Sequence, residues 1–339
     1  MNIIYTSCNK FAPYCGISIL SLFENNKDVN SINVYIIDGG ISDENKQKFS
    51  NLEEEYNRNI TLLDRNKEIE EIKRAIPPFR CHPLIIIRAF PKKVFPNVDK
   101  ILSIGADTIV NQSIESLFNM DIEDFLLAAV PVPEFYNGVS SEDPAIIARN
   151  PYYFNGEIIL FNLKQWRQKD YDRKLLTAFN ERSFLLAEQS AFAYVINPDE
   201  IKKLPPKYNY WGHEYTAKTR YKALMSNLFF SKEEIDEAHN NPVIIHYKGR
   251  CKRPWIDGAE IDPKYIEIFQ YYKAKSPWSD IPQESIDDYY KWKFLPFYRN
   301  INRRVLHIKK RGPFWMKRIY HWKSFTKLGR LITQKTKMR

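Results

Sequence analysis

Short apolar runs alternate with helical stretches at the start of the chain, and this alternation constrains the fold more than any other feature of the sequence. The strand-like runs are at 2–7, 31–38 and 61–63, and the helical stretches between them are at 14–24 and 45–56. Ser42 stands where the second helix needs a capping side chain. A β-α-β-α-β order predicts a parallel sheet with crossover helices on its faces. The sequence therefore predicts an α/β, Rossmann-like fold.

Later segments extend this pattern into a larger sheet. Their apolar spacing predicts helices at 84–90 and 188–195. Further strands are predicted at 98–104, 125–130, 157–162 and 243–247. Together these segments predict an α/β domain with a mixed, mostly parallel sheet that helices flank.

The positive charge of the chain is concentrated at its carboxyl end. The formal net charge is +10, but residues 299–339 contain fourteen Lys or Arg and no Asp or Glu, which leaves −4 for residues 1–298. A mildly acidic body argues against a nucleic-acid enzyme with a basic groove. Trp315, Ile319 and Trp322 share one helical face of the basic segment, as in helices that lie on anionic membranes. The alternatives are a terminal helix packed on the body and a segment that binds nucleic acid.

The organisation of the chain follows from these patterns. Pro and Ser residues cluster at 275–282, so we predict a catalytic domain at 1–275, a linker at 276–298 and a basic, aromatic, helical tail at 299–339. The first residues lack a basic stretch followed by an apolar one, so we expect no secretory leader, and no apolar run approaches the roughly 20 residues of a membrane span. We therefore expect a cytoplasmic protein that attaches to the inner face of the cytoplasmic membrane through its tail and does not bind nucleic acid.

A Rossmann-like opening suggests a nucleotide ligand, yet the glycine-rich phosphate loops are missing. No G-x-G-x-x-G follows the first strand, and the chain has no Walker lysine loop. A divalent metal held by carboxylate and imidazole groups is the usual substitute. Asp107 follows an apolar strand, where α/β sheets place ligand-binding groups, with a turn-capping role as the alternative. His246 ends another apolar run, with a hydrogen-bonded core histidine as the alternative.

Polar residues also open two of the predicted elements. Asn155 precedes the strand at 157–162, and Glu188 and Gln189 begin the helix at 188–195. Ligand sites are commonly built from such residues because rigid elements hold them in place. The alternative for Glu188 is a first-turn carboxylate that complements the helix dipole.

In their order along the chain, these features resemble one protein family. The matching segments are Asp-Gly-Gly-Ile-Ser at 38–42, Ile-Arg-Ala-Phe at 87–90, Ile-Gly-Ala-Asp-Thr-Ile-Val at 104–110, Tyr-Phe-Asn-Gly-Glu-Ile-Ile-Leu-Phe-Asn-Leu-Lys-Gln-Trp at 153–166, Ala-Glu-Gln-Ser at 187–190, and His-Tyr-Lys-Gly with a later Lys and Pro-Trp at 246–255. Over residues 2–256 the chain resembles glycosyltransferase family 8, which includes bacterial lipooligosaccharide galactosyltransferases and glycogenin. The resemblance implies a GT-A fold, a UDP-hexose donor and a Mn²⁺ or Mg²⁺ ion on the diphosphate.

The resemblance also assigns roles to individual residues. Asp107 and His246 would bind the metal ion. The donor-binding residues would be Thr6, Cys8 and Phe11 beside the nucleoside, Arg88, Gly249 and Lys252 beside the diphosphate, and Asn155 at the transferred sugar. Glu188 and Gln189 would be the catalytic residues in contact with that sugar.

The chain departs from the family's pattern at several positions. Gly105 replaces the first carboxylate of the Asp-x-Asp metal motif, which weakens a site for a hard cation. Cys8 replaces an Asp that recognises uracil, and a hydrogen bond to a charged group is worth about 1.5–3 kcal/mol. Phe11 replaces a Tyr, Glu188 replaces an Asp, and Arg253 interrupts a Lys-Pro-Trp sequence.

The resemblance therefore predicts a retaining glycosyltransferase. It would move a hexose, galactose or glucose, from a UDP-sugar to a cell-surface glycan acceptor, such as lipopolysaccharide core, capsule or another lipid-linked glycan. The metal would assist the departure of UDP. The alternative, which Gly105 and Cys8 favour, is a non-catalytic or weakly active member that binds a sugar nucleotide or acts as a scaffold at the membrane.

Overall fold

The chain forms two compact units. The first consists of Met1–Gly249 and Ile261–Ile281, and the second of Arg250–Glu260 and Pro282–Arg339. The computed structural model describes residues 1–76, 83–131, 153–184, 187–211, 230–249, 253–259 and 261–285. Lys252 and the predicted tail at 299–339 lie outside these described residues, and the predicted boundaries of domain, linker and tail stay predictions.

A central sheet of seven strands organises the first unit. Its strands are β1 (Asn2–Ser7), β2 (Asn33–Asp38), β3 (Asn59–Leu63), β4 (Lys100–Ser103), β6 (Leu127–Pro131), β7 (Phe154–Asn162) and β8 (Ile201–Lys203). A separate ribbon pairs β5 (Thr108–Val110) with β9 (Ile244–His246). In the second unit, β10 (Ile256–Asp257) pairs in parallel with β11 (Glu284–Ser285).

Helices connect and flank these strands. They are α1 (Ala12–Glu24), α2 (Asp43–Tyr56), α3 (Asn66–Ala75), α4 (Pro83–Ile86), α5 (Pro91–Val94), α6 (Glu115–Phe118), α7 (Leu163–Gln168), α8 (Tyr171–Glu181), α9 (Ala187–Val195), α10 (Lys232–Asn240) and α11 (Pro263–Lys275), with 3₁₀ turns at Ile87–Ala89, Pro198–Glu200 and Pro206–Asn209. Capping side chains set several helix starts. The Ser42 hydroxyl accepts a hydrogen bond from the Asn45 amide, and Ser231 and Glu234 form a reciprocal capping box.

The strand directions bring several chain segments to one edge of the sheet. The strand order is β3-β2-β1-β4-β7-β6-β8, and every neighbouring pair is parallel except the two pairs that involve β7. β7 therefore runs against the other six strands. Its first residues consequently lie at the same edge as the carboxyl ends of β1 and β4, where open α/β sheets bind ligands.

Apolar side chains pack the helices against the sheet. β6 is buried along its whole length, as expected for a strand that is covered on both faces. Gly16 lets the Trp278 ring pack directly on α1, since a Cβ at residue 16 would lie 1.9 Å from that ring. Trp166 packs edge-on against Phe192 of α9, with 5.9 Å between the ring centroids. These contacts fix the two helices that begin beside the sheet edge described above.

The predicted fold class is confirmed as mixed α/β, with a mostly parallel sheet that helices flank. The helix predicted at 84–90 is a short α-helix followed by a 3₁₀ turn, and the strand predicted at 98–104 is confined to Lys100–Ser103. Seven of the observed helices are missing from the sequence-based predictions, namely α3, α5, α6, α7, α8, α10 and α11. None of the helices in the described ranges has both the length and the apolar content that a membrane crossing requires.

Candidate active site

Two residues predicted as metal ligands face each other near the end of β4. The β5–β9 ribbon pairs Thr108 with His246, and the Tyr247 amide donates to the Asp107 carbonyl oxygen at 2.9 Å. This pairing brings Nε2 of His246 within 3.4 Å of Oδ1 of Asp107. The His246 side chain is 2% exposed, whereas that of Asp107 is 15% exposed. A group that binds at this carboxylate can therefore also reach the imidazole.

Hydrogen bonds determine which nitrogen of His246 carries the proton. Oδ1 of Asn209 accepts from the indole Nε1 of Trp211 at 2.9 Å, and because an indole N–H only donates, this atom is the amide oxygen. Nδ1 of His246 lies 2.8 Å from the same oxygen and is therefore the protonated nitrogen. In the neutral ring, Nε2 then presents its lone pair toward Asp107.

A lone pair and a carboxylate at this distance fit a bound cation. Carboxylate oxygen and imidazole nitrogen are ligands that divalent ions such as Mn²⁺ accept. The hydrogen bond from Nδ1 of His246 to Asn209 is the usual support of a histidine that ligates through its other nitrogen. Within the described part of the chain, no group of three or more His, Cys, Asp or Glu side chains is arranged to hold a metal ion. Asp107 and His246 thus supply two protein donors.

The residues expected at the transferred sugar form a buried amide network. Nδ2 of Asn155 donates to Oε1 of Gln189 at 3.3 Å, and the Gly156 amide donates to the same oxygen at 3.2 Å. Asn155 and Gln189 are 6% and 9% exposed. Nδ2 of Asn209 donates to Oδ1 of Asn155 at 3.5 Å, so the residue that orients His246 also contacts this network. One set of hydrogen bonds therefore links the expected metal ligands to the expected sugar-binding residues.

An ion network lies beside these amides. The Arg88 guanidinium donates to both oxygens of Glu157, and its Nη2 lies 3.0 Å from Oε1 of Glu157 and 3.0 Å from Oε1 of Glu188. The side chains of Arg88 and Glu188 are each 6% exposed, and that of Glu157 is 29% exposed. Burial raises the pKa of Glu188 to about 7, against the lowering effect of Arg88 and with a further rise from Glu157. The two carboxylates thus hold the guanidinium in place.

The residues expected beside a nucleoside lie at the end of β1 or just after it, and they are more exposed. Thr6, Cys8 and Phe11 are each partly exposed. The Cys8 carbonyl oxygen accepts hydrogen bonds from the amides of Phe11 and Ala12 at 2.9 Å, and these bonds form the turn into α1. The Phe11 and Tyr14 rings meet edge-on, with 5.9 Å between their centroids. The structure therefore brings these three residues to the same sheet edge as the metal and sugar residues.

The loop after β9 contains Gly249, which is expected beside the diphosphate. Gly249 has a φ of +94°, a conformation that favours glycine. It follows a tight turn in which the Lys248 amide donates to the His246 carbonyl oxygen at 2.8 Å. Nζ of Lys248 lies 3.5 Å from the centroid of the Trp211 ring. Lys252 lies outside the described residues, so its expected contact with the diphosphate stays a prediction.

Glu157 and Asn209 contact the expected site residues, yet sequence reasoning assigned neither of them a role. Glu157 had a detectable signal, because it lies two residues after Asn155 on the same strand and therefore on the same face of β7. Asn209 had none, since it belongs to a 3₁₀ turn that long-range pairing, including the bridge between Tyr210 and Ile245, brings to His246.

The fold defines a class, the GT-A glycosyltransferases. The solved structure of the galactosyltransferase LgtC, in complex with donor and acceptor sugar analogs, has a similar fold. Its TM-score is 0.66 at 19% identity, over 84% of this chain and 98% of that chain. The chain belongs to glycosyltransferase family 8, whose family model matches residues 2–259.

Two relatives align with most of the chain. A Haemophilus influenzae protein, whose name proposes a glycosyltransferase and gives no substrate, is 29% identical over 90% of this chain and 88% of its own length. The lipopolysaccharide 1,2-glucosyltransferase of Escherichia coli is 27% identical over 79% of this chain and 76% of its own length. The family that the sequence motifs indicate is thereby confirmed, and the protein is a glycosyltransferase.

Proposed function

We propose that the enzyme transfers a hexose, galactose or glucose, from a UDP-hexose to a cell-surface glycan, with Mn²⁺ or Mg²⁺ at Asp107 and His246. The observation that carries this proposal is the 3.4 Å approach between Nε2 of His246 and a carboxylate oxygen of Asp107. A divalent ion bound there would neutralise the charge that develops on the leaving diphosphate. The lipopolysaccharide 1,2-glucosyltransferase among the relatives supports a hexose donor and a lipopolysaccharide acceptor.

The proposed reaction is a substitution at the anomeric carbon of the hexose. An acceptor hydroxyl oxygen bonds to this carbon while the bond from the carbon to the β-phosphate oxygen breaks, and the electron pair of that bond stays on UDP. The hydroxyl proton passes to a phosphate oxygen. Asn155 and Gln189 orient the sugar through their amide groups. Gly249 and Lys252 hold the diphosphate, and Arg88 lies beside it.

We expect the anomeric configuration to be retained. Gln189 is a neutral amide whose oxygen already accepts hydrogen bonds from Asn155 and Gly156, so it is a poor nucleophile. Glu188 is bonded to Arg88 and contributes to sugar recognition together with Gln189. These features favour attack on the face that the leaving phosphate departs from, with that phosphate accepting the proton. An inverted product, identified by its anomeric NMR coupling, would contradict this mechanism.

The acceptor is proposed to be lipid-linked because of the charge at the carboxyl end. The fourteen Lys or Arg of residues 299–339 would attach the enzyme to the anionic inner face of the cytoplasmic membrane, where such an acceptor resides. Deleting residues 299–339 should release the protein from anionic vesicles and leave hydrolysis of a soluble donor intact. Vesicle binding that survives the deletion would contradict this part of the proposal.

Calorimetric titration of UDP into the purified protein tests the central proposal. We expect binding in the presence of Mn²⁺ and a large loss of affinity when EDTA removes the ion. A screen of UDP-hexose hydrolysis would then identify the sugar. Binding that EDTA leaves unchanged would contradict the metal-dependent site, and absence of UDP binding would favour the non-catalytic alternative.

A further inference from the structure

The glycine at position 105 leaves room for a third carboxylate close to the expected metal ligands. Gly105 follows β4, and a Cβ at this residue would lie 2.7 Å from Oε2 of Glu157 and 3.3 Å from Oδ1 of Asp107. Both carboxylates therefore border one small space that glycine leaves open. A larger residue at position 105 would displace the Glu157 carboxylate, because a Cβ contact below 3.0 Å is essentially never found.

The sheet register explains why Glu157 lies at this position. β4 and β7 are antiparallel, and Ser103 pairs with Ile159. When the same register is continued by two residues, Gly105 stands opposite Glu157. Directly opposite residues of antiparallel strands have Cβ atoms about 5 Å apart. A carboxylate at position 105 or at position 157 can therefore reach the same space. In this chain the carboxylate is at position 157, on β7.

The charges around this space favour the entry of a cation. Among the residues that the structure describes, the guanidinium of Arg88 lies near the carboxylates of Asp107, Glu157 and Glu188. Arg88 retains Glu188 as a partner when Glu157 turns toward a cation, since its Nη2 bonds both. A carboxylate offers about four acceptor positions, so Glu157 can also serve Arg88 and a cation together. The Glu157 side chain is 29% exposed and is accessible to a ligand.

We propose that Glu157 is the third protein ligand of the cation that Asp107 and His246 bind, and that Gly105 provides the opening through which Glu157 reaches it. This inference rests on the proposed metal-dependent function. In the structure Glu157 is bonded to Arg88, which agrees with the finding that the described residues present no ready group of three metal ligands. Glu157 therefore joins the site when the cation and the donor diphosphate bind.

Direct measurement of Mn²⁺ binding tests this role without turnover. The full chain is titrated with Mn²⁺ in the presence of UDP, and free Mn²⁺ is followed by electron paramagnetic resonance. Glu157→Gln keeps the side-chain shape, and its Mn²⁺ affinity should fall by about tenfold or more, since losing even a supporting residue of a metal site costs about that much. Gly105→Ala keeps every charge but displaces the end of Glu157, so it should also weaken binding.

Exchange of the two residues tests the shared space itself. Gly105→Asp combined with Glu157→Gly moves the carboxylate from β7 to the segment after β4 and removes the steric conflict. This double variant should bind Mn²⁺ within about threefold of the wild type, whereas Glu157→Gly alone should bind about tenfold more weakly or worse. Glu123→Gln removes one exposed carboxylate elsewhere and should bind as the wild type does.

Asp107→Asn separates this inference from the proposed function. If Asp107→Asn abolishes Mn²⁺ binding while Glu157→Gln and Gly105→Ala bind as the wild type does, the inference is overturned and the proposed metal site stands. If the wild type binds no Mn²⁺ with UDP, or if Asp107→Asn has no effect, both are overturned. Circular dichroism confirms that each variant is folded, and Gly105→Ala supplies the answer if Glu157→Gln unfolds.

Discussion

The sugar side and the nucleoside side of the candidate site are built in different ways. The nucleoside side comprises Thr6, Cys8 and Phe11. The sugar side comprises Asn155, Glu157, Glu188 and Gln189 together with Arg88, which is counted here because its guanidinium binds both carboxylates. On the sugar side, four of the five residues are less than 10% exposed, and every member hydrogen-bonds to another member. On the nucleoside side all three residues are partly exposed, and the turn is formed by backbone bonds to the Cys8 carbonyl oxygen.

This difference separates positions that tolerate a single substitution from positions where a second, compensating substitution is needed. A buried polar group that loses its partner costs about 1–3 kcal/mol, so a substitution on the sugar side requires a second, matching one. Cys8 and Phe11 depart from the family's pattern on the more exposed side. Gly105 borders the sugar side, and there Glu157 lies next to the space that a side chain would fill.

The largest expected effect comes from removing the imidazole that faces Asp107. His246→Asn deletes the Nε2 that faces Asp107, and UDP-hexose hydrolysis should fall by about 100-fold or more, as when one stabilising donor is removed from other active sites. The matched control is His239→Asn, which removes a partly exposed imidazole bonded to Tyr210. Equal rates for the two variants would show that His246 is a core residue.

Removal of the guanidinium should cost the most stability. Arg88→Met leaves the carboxylates of Glu157 and Glu188 without their counter-ion, and breaking a buried ion pair in this way lowers the free energy of unfolding by about 3–5 kcal/mol. Arg173→Met is the control, because its side chain is 77% exposed and solvent screens its pair with Asp170. Urea unfolding measures the free energy of unfolding of both variants. Similar losses would show that the buried ion pairs of Arg88 contribute no more than an exposed pair.

Asn209 should affect metal binding without touching the metal. Asn209→Leu removes the acceptor for Nδ1 of His246 and for the Trp211 indole, so the imidazole loses its orientation. We expect the Mn²⁺ affinity to fall by about 10- to 100-fold, measured by calorimetry with UDP present. Asn51→Leu, at an exposed position of α2, should leave the affinity unchanged. An unchanged affinity in Asn209→Leu would mean that the ring is held by its backbone pairing alone.

The nucleoside side should accept an improvement by a single substitution. Cys8→Asp supplies a charged acceptor where uracil is expected, and UDP binding should tighten by about tenfold, the lower end for a hydrogen bond to a charged group. Cys8→Ala should bind UDP as the wild type does, and the thermal unfolding midpoints of both variants show whether residue 8, which packs against the core, tolerates the new charge. If calorimetry finds no gain in UDP affinity for Cys8→Asp, the uracil does not bind beside residue 8.

The smallest expected effect concerns the packing beneath the sugar side. Burial raises the pKa of Asp172 to about 6, although its hydrogen bond from the Trp166 indole lowers it. The folded state therefore holds a proton that the unfolded chain has lost, and this stabilisation is present below about pH 4 and disappears as the pH rises through about 6. Asp172→Asn should remove at least about 1 kcal/mol of the stability change between pH 4.5 and 7. The free energy of unfolding is measured with urea at several pH values. If it changed equally with pH in the wild type and in Asp172→Asn, Asp172 would not be a buried, protonated carboxyl.

The sequence could reveal the parts of the molecule whose information is local. The alternation over β1, α1, β2, α2 and β3 was readable because strand and helix periods repeat within a few residues. Asp107, Asn155 and His246 stood out because they lie at the ends of elements, where α/β sheets bind ligands. The structure brings all three to one edge of the sheet.

The parts that sequence reasoning missed depend on pairing between distant segments. The reversed direction of β7 decides that Glu157 stands opposite Gly105, and nothing within either strand encodes that direction. Asn209 reaches His246 because Tyr210 pairs with Ile245, which is again a contact between segments that are separate in the sequence. Polar residues on one strand face can be identified from sequence, but their partners follow only from the sheet.

The contact between Gly16 and Trp278 has a consequence for the order in which the chain folds. The Trp278 ring is fully buried against α1 and Phe49, and its indole N–H donates to Asn45, 233 positions earlier in the chain. During synthesis the amino-terminal strands leave the ribosome long before Trp278 does, and domains begin to fold from the amino-terminal end. A nascent chain that ends before Trp278 therefore lacks the ring that packs on α1 and leaves the apolar surface beneath it exposed. The packing of the first unit is completed only after this tryptophan, near the end of the unit, has been synthesised.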